Sequence, residues 1–136
     1  METTVISEEM SRNFHLFWDH FPFPVMLVHK NRTILDRNNA AEIAGLLTGT
    51  RCVDIGNKED HKGCLANKAL EEQTTKRVVS YVDAYGSVLD AYWIPLAGEK
   101  DIYLHYSADI SPYAAEHMFP AKDTAASHGC SSCSCT

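Results

Sequence analysis

The chain has 136 residues, 45% of them hydrophobic and 22% charged, a composition suited to one globular domain with a buried core. Its net charge of −6 argues against a sequence-independent grip on DNA or RNA, which needs clustered Lys and Arg. No apolar run reaches the roughly eighteen residues of a membrane span, and "METTVISEEM" lacks the basic and apolar regions of a secretory signal. A cytoplasmic protein with reduced thiols is therefore expected, and its five cysteines cannot all pair with one another.

In "SEEMSRNFHLFWDHF", Met10, Phe14, Phe17, Trp18 and Phe21 recur at helical spacing. The pattern predicts an amphipathic helix with Ser7 as its cap and Glu8 and Glu9 in the favourable first turn. "FPFP" breaks it, because each proline pushes the preceding residue out of the helical region. "VMLVHK" and "TILDR" then read as strands joined by an Asn31-Arg32 turn. In "NNAAEIAGLL", Asn39 with Glu42 forms a capping pattern, and Ala40, Ile43 and Leu47 share one side of a short helix.

"TGTRCVDIGNKEDHKG" is turn-rich, whereas "CLANKALEEQ" sets Leu65, Ala66, Ala69 and Leu70 along one helical face. "RVVSYVDAY" and "SVLDAYWIPL" form a hairpin through Gly86-Ser87, and a loop at "AGEKD" leads to a last strand, "IYLHYSADI". Ser111 before Pro112 predicts a terminal helix over "PYAAEHMF", ended by Pro120. A small-residue linker and the tail "SHGCSSCSCT" follow, and no internal repeat is present.

Strands on both sides of a helical insert do not alternate as parallel units, so a Rossmann-type arrangement is excluded. The order predicts an α+β fold: a five-stranded antiparallel sheet with a helical lid on one face, plus the N-terminal amphipathic helix. Between lid and sheet lies the expected pocket for a small ligand or cofactor. The "NNAAEIAGLLTG" helix after the first hairpin, "WIPL" in the fourth strand and "ADIS" closing the fifth resemble a PAS domain. That family reads roughly N-x-A-x-x-x-x-G, a strand ending in Pro-Leu, and D-I-T at these places. The resemblance runs from about Phe14 to Tyr113. It divides the chain into an N-terminal helix (1–22), a PAS-like domain (23–113) and a terminal helix, linker and Cys-rich tail (114–136). It implies a sensory or protein-interaction module, often dimeric through its N-terminal helix. The family's cavity holds heme, flavin, a metal-bound carboxylate or nothing in different members.

Candidate pocket residues are Cys52, His61, Tyr92 and His105. Cys52 resembles the photoactive cysteine of flavin-binding light-oxygen-voltage members. Val53 and Gly56 replace the Arg and Gln that follow it there, and Ser107 replaces their fifth-strand Gln, which argues against flavin. Cys52 also reads simply as a small apolar packing residue. Cys52, His61 and Cys64 offer thiolate and imidazole ligands that suit zinc or iron, but they are one ligand short of a closed site. Iron–sulfur PAS sensors resemble this segment but carry two Cys-x-x-Cys pairs where this chain has single cysteines. Heme needs an axial ligand, and the strand histidines His29 and His105 are the candidates. No histidine lies in "CLANKALEEQ", where oxygen-sensing heme members place theirs, so heme is disfavoured.

In the tail, Cys130, Cys133 and Cys135 give three soft ligands for zinc or an iron–sulfur cluster, with Cys64, Cys52, His128 or a second chain to complete the set. A mobile dithiol or a disordered chain end are the competing readings of the same residues. No nucleophile–base pair, phosphate loop or paired-carboxylate arrangement appears, so the chain is not expected to be an enzyme. The function expected is a sensory PAS module that binds a small ligand, metal or redox cofactor. It would signal through a homodimer or an output protein partner, with no nucleic-acid or membrane partner. The alternative is a metal or iron–sulfur carrier using the cysteine tail.

Overall fold

The computed structural model describes residues 6–51 and 64–120. Helix α1 (Glu8–Trp18) begins as expected, with the Ser7 hydroxyl accepting the Met10 amide at 3.1 Å and Glu8 and Glu9 in the first turn. Strands β1 (Val25–His29) and β2 (Ile34–Arg37) follow, then the short α2 (Asn39–Ile43) and α3 (Ala66–Glu72). Strands β3 (Lys76–Val82), β4 (Ser87–Leu96) and β5 (Glu99–Asp109) complete the sheet, whose order is β2-β1-β5-β4-β3 with every neighbouring pair antiparallel.

Alternation along the strands divides the core into two layers. On the outer face Phe14 of α1 packs with Val25, Leu27, Ile102 and Leu104, flanked by Met10, Trp18 and Phe21. On the inner face Ala66 and Ala69 of α3 pack with Val28, Trp93 and Tyr103, flanked by Leu65, Leu70 and Cys64. The alanine stripe of α3 lets the helix lie close to the bulky Trp93 and Tyr103. The expected lid helix and the N-terminal helix thus cover opposite faces. Phe17 departs from the expected stripe: at 76% exposure it points to solvent beside Leu16, because the helix meets the sheet along the single line through Phe14.

One strand carries an extra residue. Val28 pairs with Ile34 but Leu27 pairs with Asp36, so Leu35 is a bulge in β2. Past it, Asp36 shares the outer face with Leu27, and Arg37 shares the inner face with Met26.

Three local expectations are corrected. The cap of α2 is Asn38, not Asn39; its side-chain oxygen accepts the Ala41 amide at 3.0 Å, and α2 buries Ala41 while Ile43 and Leu47 are exposed. The β3–β4 connection runs over residues 83–86, with Val82 paired to Ser87, and the β4–β5 turn is only Ala97-Gly98. Gly86 (φ +60°) and Gly98 (φ +86°) supply the left-handed backbone that these turns require. The terminal helix is replaced by two 3-10 turns, Ser111–Tyr113 and Glu116–Met118, separated by extended Ala114 and Ala115. Its expected cap is engaged elsewhere, since the Ser111 hydroxyl accepts the Val88 amide at 2.9 Å and pins the start of β4.

Asn38 is the joint of the structure and is 1% exposed. Besides capping α2, its side-chain oxygen accepts the Val25 amide at 2.9 Å. Its side-chain amide donates to the carbonyls of Trp18 (2.9 Å) and Phe23 (3.0 Å), tying the end of α1 and the proline-rich segment to β1. Asn38→Ala is expected to lower the unfolding free energy by about 3 kcal/mol, combining a lost cap with stranded buried backbone groups. Asn39→Ala, at an exposed position, should change it by less than about 0.5 kcal/mol. Urea unfolding of both variants checks the assignment, and a larger loss from Asn39→Ala would refute it.

Candidate functional site

The inner face is built by a row of residues facing one another across the strands. Arg37 of β2 pairs with Met26 of β1, Met26 with His105 of β5, His105 with Trp93 of β4, and Trp93 with Lys76 of β3. Helix α3 covers the Val28, Tyr103 and Trp93 side of this face. Met26, Ala91, His105 and Ser107 are half-buried.

His105 stacks on Trp93, with ring centroids 4.9 Å apart and planes 13° from parallel. Its Nδ1 lies 2.9 Å from the Tyr92 carbonyl oxygen, which can only accept, so Nδ1 carries the proton. The stack and this hydrogen bond together hold the ring in one orientation. At the β2 end, Arg37 Nη2 lies 3.4 Å from the Glu42 carboxylate of α2. Arg37 Nε is buried and has no hydrogen-bond partner among the described residues.

The expected pocket set does not come together as one group. Tyr92 faces outward: it stacks on Tyr106 at 5.0 Å, under the Arg77 guanidinium, which Asp90 holds with two contacts of 2.7 and 2.9 Å. The reason is the period of the strand, which turns Tyr92 and its neighbour Trp93 to opposite faces. His105 is on the inner face, with Tyr103 and Ser107 as alternation requires. Cys52 and His61 lie outside the described residues, as do Cys130, Cys133, Cys135 and His128. Cys64 is half-buried and packs as an apolar group at the start of α3. His29 accepts the Asn31 amide on Nδ1 at 3.2 Å, which engages it in the β1–β2 turn. No cluster of three metal-ligating side chains occurs among the described residues. The residue that sequence reading passed over is Arg37, since a charge at the end of a short strand reads as solvated and only the bulge turns it inward.

A second polar cluster fixes α1 to the outer face. His15 Nδ1 lies 2.7 Å from Asp19 Oδ1 and Nε2 lies 2.9 Å from Asp36 Oδ1, while Ser11 donates to Asp36 Oδ2 at 2.6 Å. Both ring nitrogens face carboxylates, so only the imidazolium satisfies both contacts. Burial pulls the His15 pKa down, but the hydrogen bonds His15 donates to Asp19 and Asp36 and the charges of both outweigh it, and the pKa lies above its ordinary value.

No protein-family model matches the chain, and no curated protein does. Solved structures do. A domain of an HTR-like protein from Haloarcula marismortui is 24% identical, with a TM-score of 0.54, over 65% of this chain and 98% of that one. The PAS domain of an HTR-like protein from the same organism is 21% identical, with a TM-score of 0.43, over 76% of this chain and all of that domain. The sheet order β2-β1-β5-β4-β3 with helices packed on it is the PAS-like α+β arrangement that the resemblance in the sequence implied, and the first of these domains shares that fold. No helix among the described residues is long and apolar enough to cross a membrane.

The raised pKa of His15 has a definite sign. Its stabilising contribution is full below the unfolded value of about 6.5 and fades as pH rises through the higher folded pKa. The stability difference between the natural protein and His15→Gln should therefore be largest near about pH 6 and shrink toward about pH 8. Denaturant titrations at both pH values check this; a difference that grows with pH would contradict the cluster.

Proposed function

We propose that the chain is a small-molecule sensor module, a binding protein and not a catalyst. The ligand would lie on the inner face of the sheet and be reported through α1 on the outer face. The observation that carries this reading is the placement of consecutive residues of β5. His105 faces the inner side beside Trp93, while Tyr106 faces outward against Phe21 (5.3 Å) and Trp18 (6.1 Å) at the end of α1. A shift of β5 of a few tenths of an ångström on ligand binding therefore moves the seat of α1. A ligand changes that seat only by binding one position of the strand better than the other.

Outward from α1, Leu16 and Phe17 are 74% and 76% exposed, adjacent to one another on a helix whose other exposed residues, Glu8, Glu9, Arg12 and Asn13, are polar. Such a pair supports a contact with a second copy or an output partner, whose strength the seat of α1 would set. The fold supports a sensory role in general terms, and the half-buried, oriented His105 beside the apolar inner layer favours a small organic ligand there over a purely structural core.

The two tryptophans, Trp93 inside and Trp18 outside, allow a direct test. In Trp93→Phe, Trp18 is the sole tryptophan, and its emission should differ between protein purified under native conditions and protein stripped of ligand by unfolding and refolding. Native mass spectrometry should show the corresponding small bound mass. Light scattering should show a dimer that Phe17→Glu converts to monomer. An unliganded mass together with identical Trp18 emission in both preparations would refute the sensor reading, and a monomer in the natural protein would refute the dimer.

A further inference from the structure

We propose that His15, Asp19 and Asp36 form a proton-operated clasp, which holds α1 on the sheet when the imidazole is charged and loosens the helix when it is neutral. The inference goes beyond the ligand reading and stands without it, because the clasp lies on the outer face. His15 Nδ1 meets Asp19 Oδ1 at 2.7 Å and Nε2 meets Asp36 Oδ1 at 2.9 Å. A neutral ring carries one N–H, so it must turn a lone pair toward one of the two carboxylates. The Asp19 contact lies within α1, whereas the Asp36 contact joins α1 to β2. Whichever nitrogen keeps the proton, the ion pair between helix and strand is lost.

Asp36 is held in place on the strand side. Its side chain is 13% exposed, and it also accepts the Ser11 hydroxyl at 2.6 Å and the Arg37 amide at 2.9 Å. With the ring neutral, this mostly buried carboxylate loses the cation that faces it, which costs more than an exposed pair would. The His15 side chain, 38% exposed, stays open to protons from solvent. The clasp is closed below the unfolded pKa of about 6.5 and opens as pH rises through the higher folded one. Beneath the helix, β1 and β5 present apolar Val25, Leu27, Ile102 and Leu104. Tyr106 meets Trp18 and Phe21 at the helix end, and burial and the nearby Tyr92 raise its pKa, so it stays neutral throughout. Leu16 and Phe17 ride on the same helix, so the clasp sets how firmly that exposed apolar pair is presented.

Hydrogen exchange of the α1 amides in the full chain, set beside the NMR titration of the His15 ring, tests the clasp. Amides of α1 should be less protected than those of β1 and β5, marking opening of the helix alone. Their protection, corrected for the intrinsic pH dependence of exchange, should fall severalfold from about pH 6 to about pH 8, with its midpoint at the His15 pKa. His15→Gln, which leaves His20 and His29 to titrate, should abolish the fall. Asp19→Asn should shrink it, because a neutral ring can then donate to Asp36 and accept from the new carboxamide. Ser11→Ala removes a contact that does not titrate, so it should lower protection at both pH values and keep the fall. The clasp is overturned if α1 protection is flat with pH, if it falls equally in His15→Gln, or if α1 exchanges only together with the sheet. None of these results bears on the bound mass that decides the ligand reading.

Discussion

Helix α1, strand β1 and helix α2 are fixed to one another through one carboxamide. The Asn38 side chain offers an acceptor and a donor in a fixed plane, and each is engaged at the meeting point of α1, β1 and α2. Hydrophobic burial brings these elements together without direction, whereas the amide bonds define which backbone atoms meet. Without them the end of α1 would have no fixed height above the sheet. The His15 cluster and the aromatic contacts of Trp18 and Phe21 depend on that height. The carboxamide is buried, so it works at low dielectric and tolerates no unsatisfied group.

The sheet is a septum between two different chemistries. One side is closed by the aromatic and aliphatic core under α1, reinforced by carboxylates around His15. The other combines a tight alanine-lined contact under α3 with half-buried Met26, His105 and Ser107. Close packing on the outer side leaves a strand little room to move independently of the helix.

Much of the architecture was legible because its signals are local. The Ser7 cap, the alanine stripe of α3 and the alternation around His105 depend on residues a few positions apart, and the structure has them as read. The failures share a different cause. Asn38 and Asn39 are equally good caps in isolation, and the choice was made by the distant Val25 amide. Ser111 looked like a helix start but serves Val88, and the helix was lost with it. The candidate site suffered most. Tyr92 and His105 lie on neighbouring strands, but the strand period and register turn them to opposite faces. Arg37 gave no signal at all, because its direction depends on a pairing offset with β1 that no short stretch records.

That offset has a mechanical consequence. By adding Leu35, the chain assigns two neighbouring opposite charges to opposite sides of a sheet: Asp36 to the clasp on α1 and Arg37 to the inner row. The Arg37 amide also donates to Asp36 Oδ1 at 2.9 Å. A single planar peptide unit thus joins the two side chains, and planar units rotate as rigid plates. Tilting this plate moves the Cα atoms of Asp36 and Arg37 together, so a backbone disturbance on one face of the sheet is felt on the other.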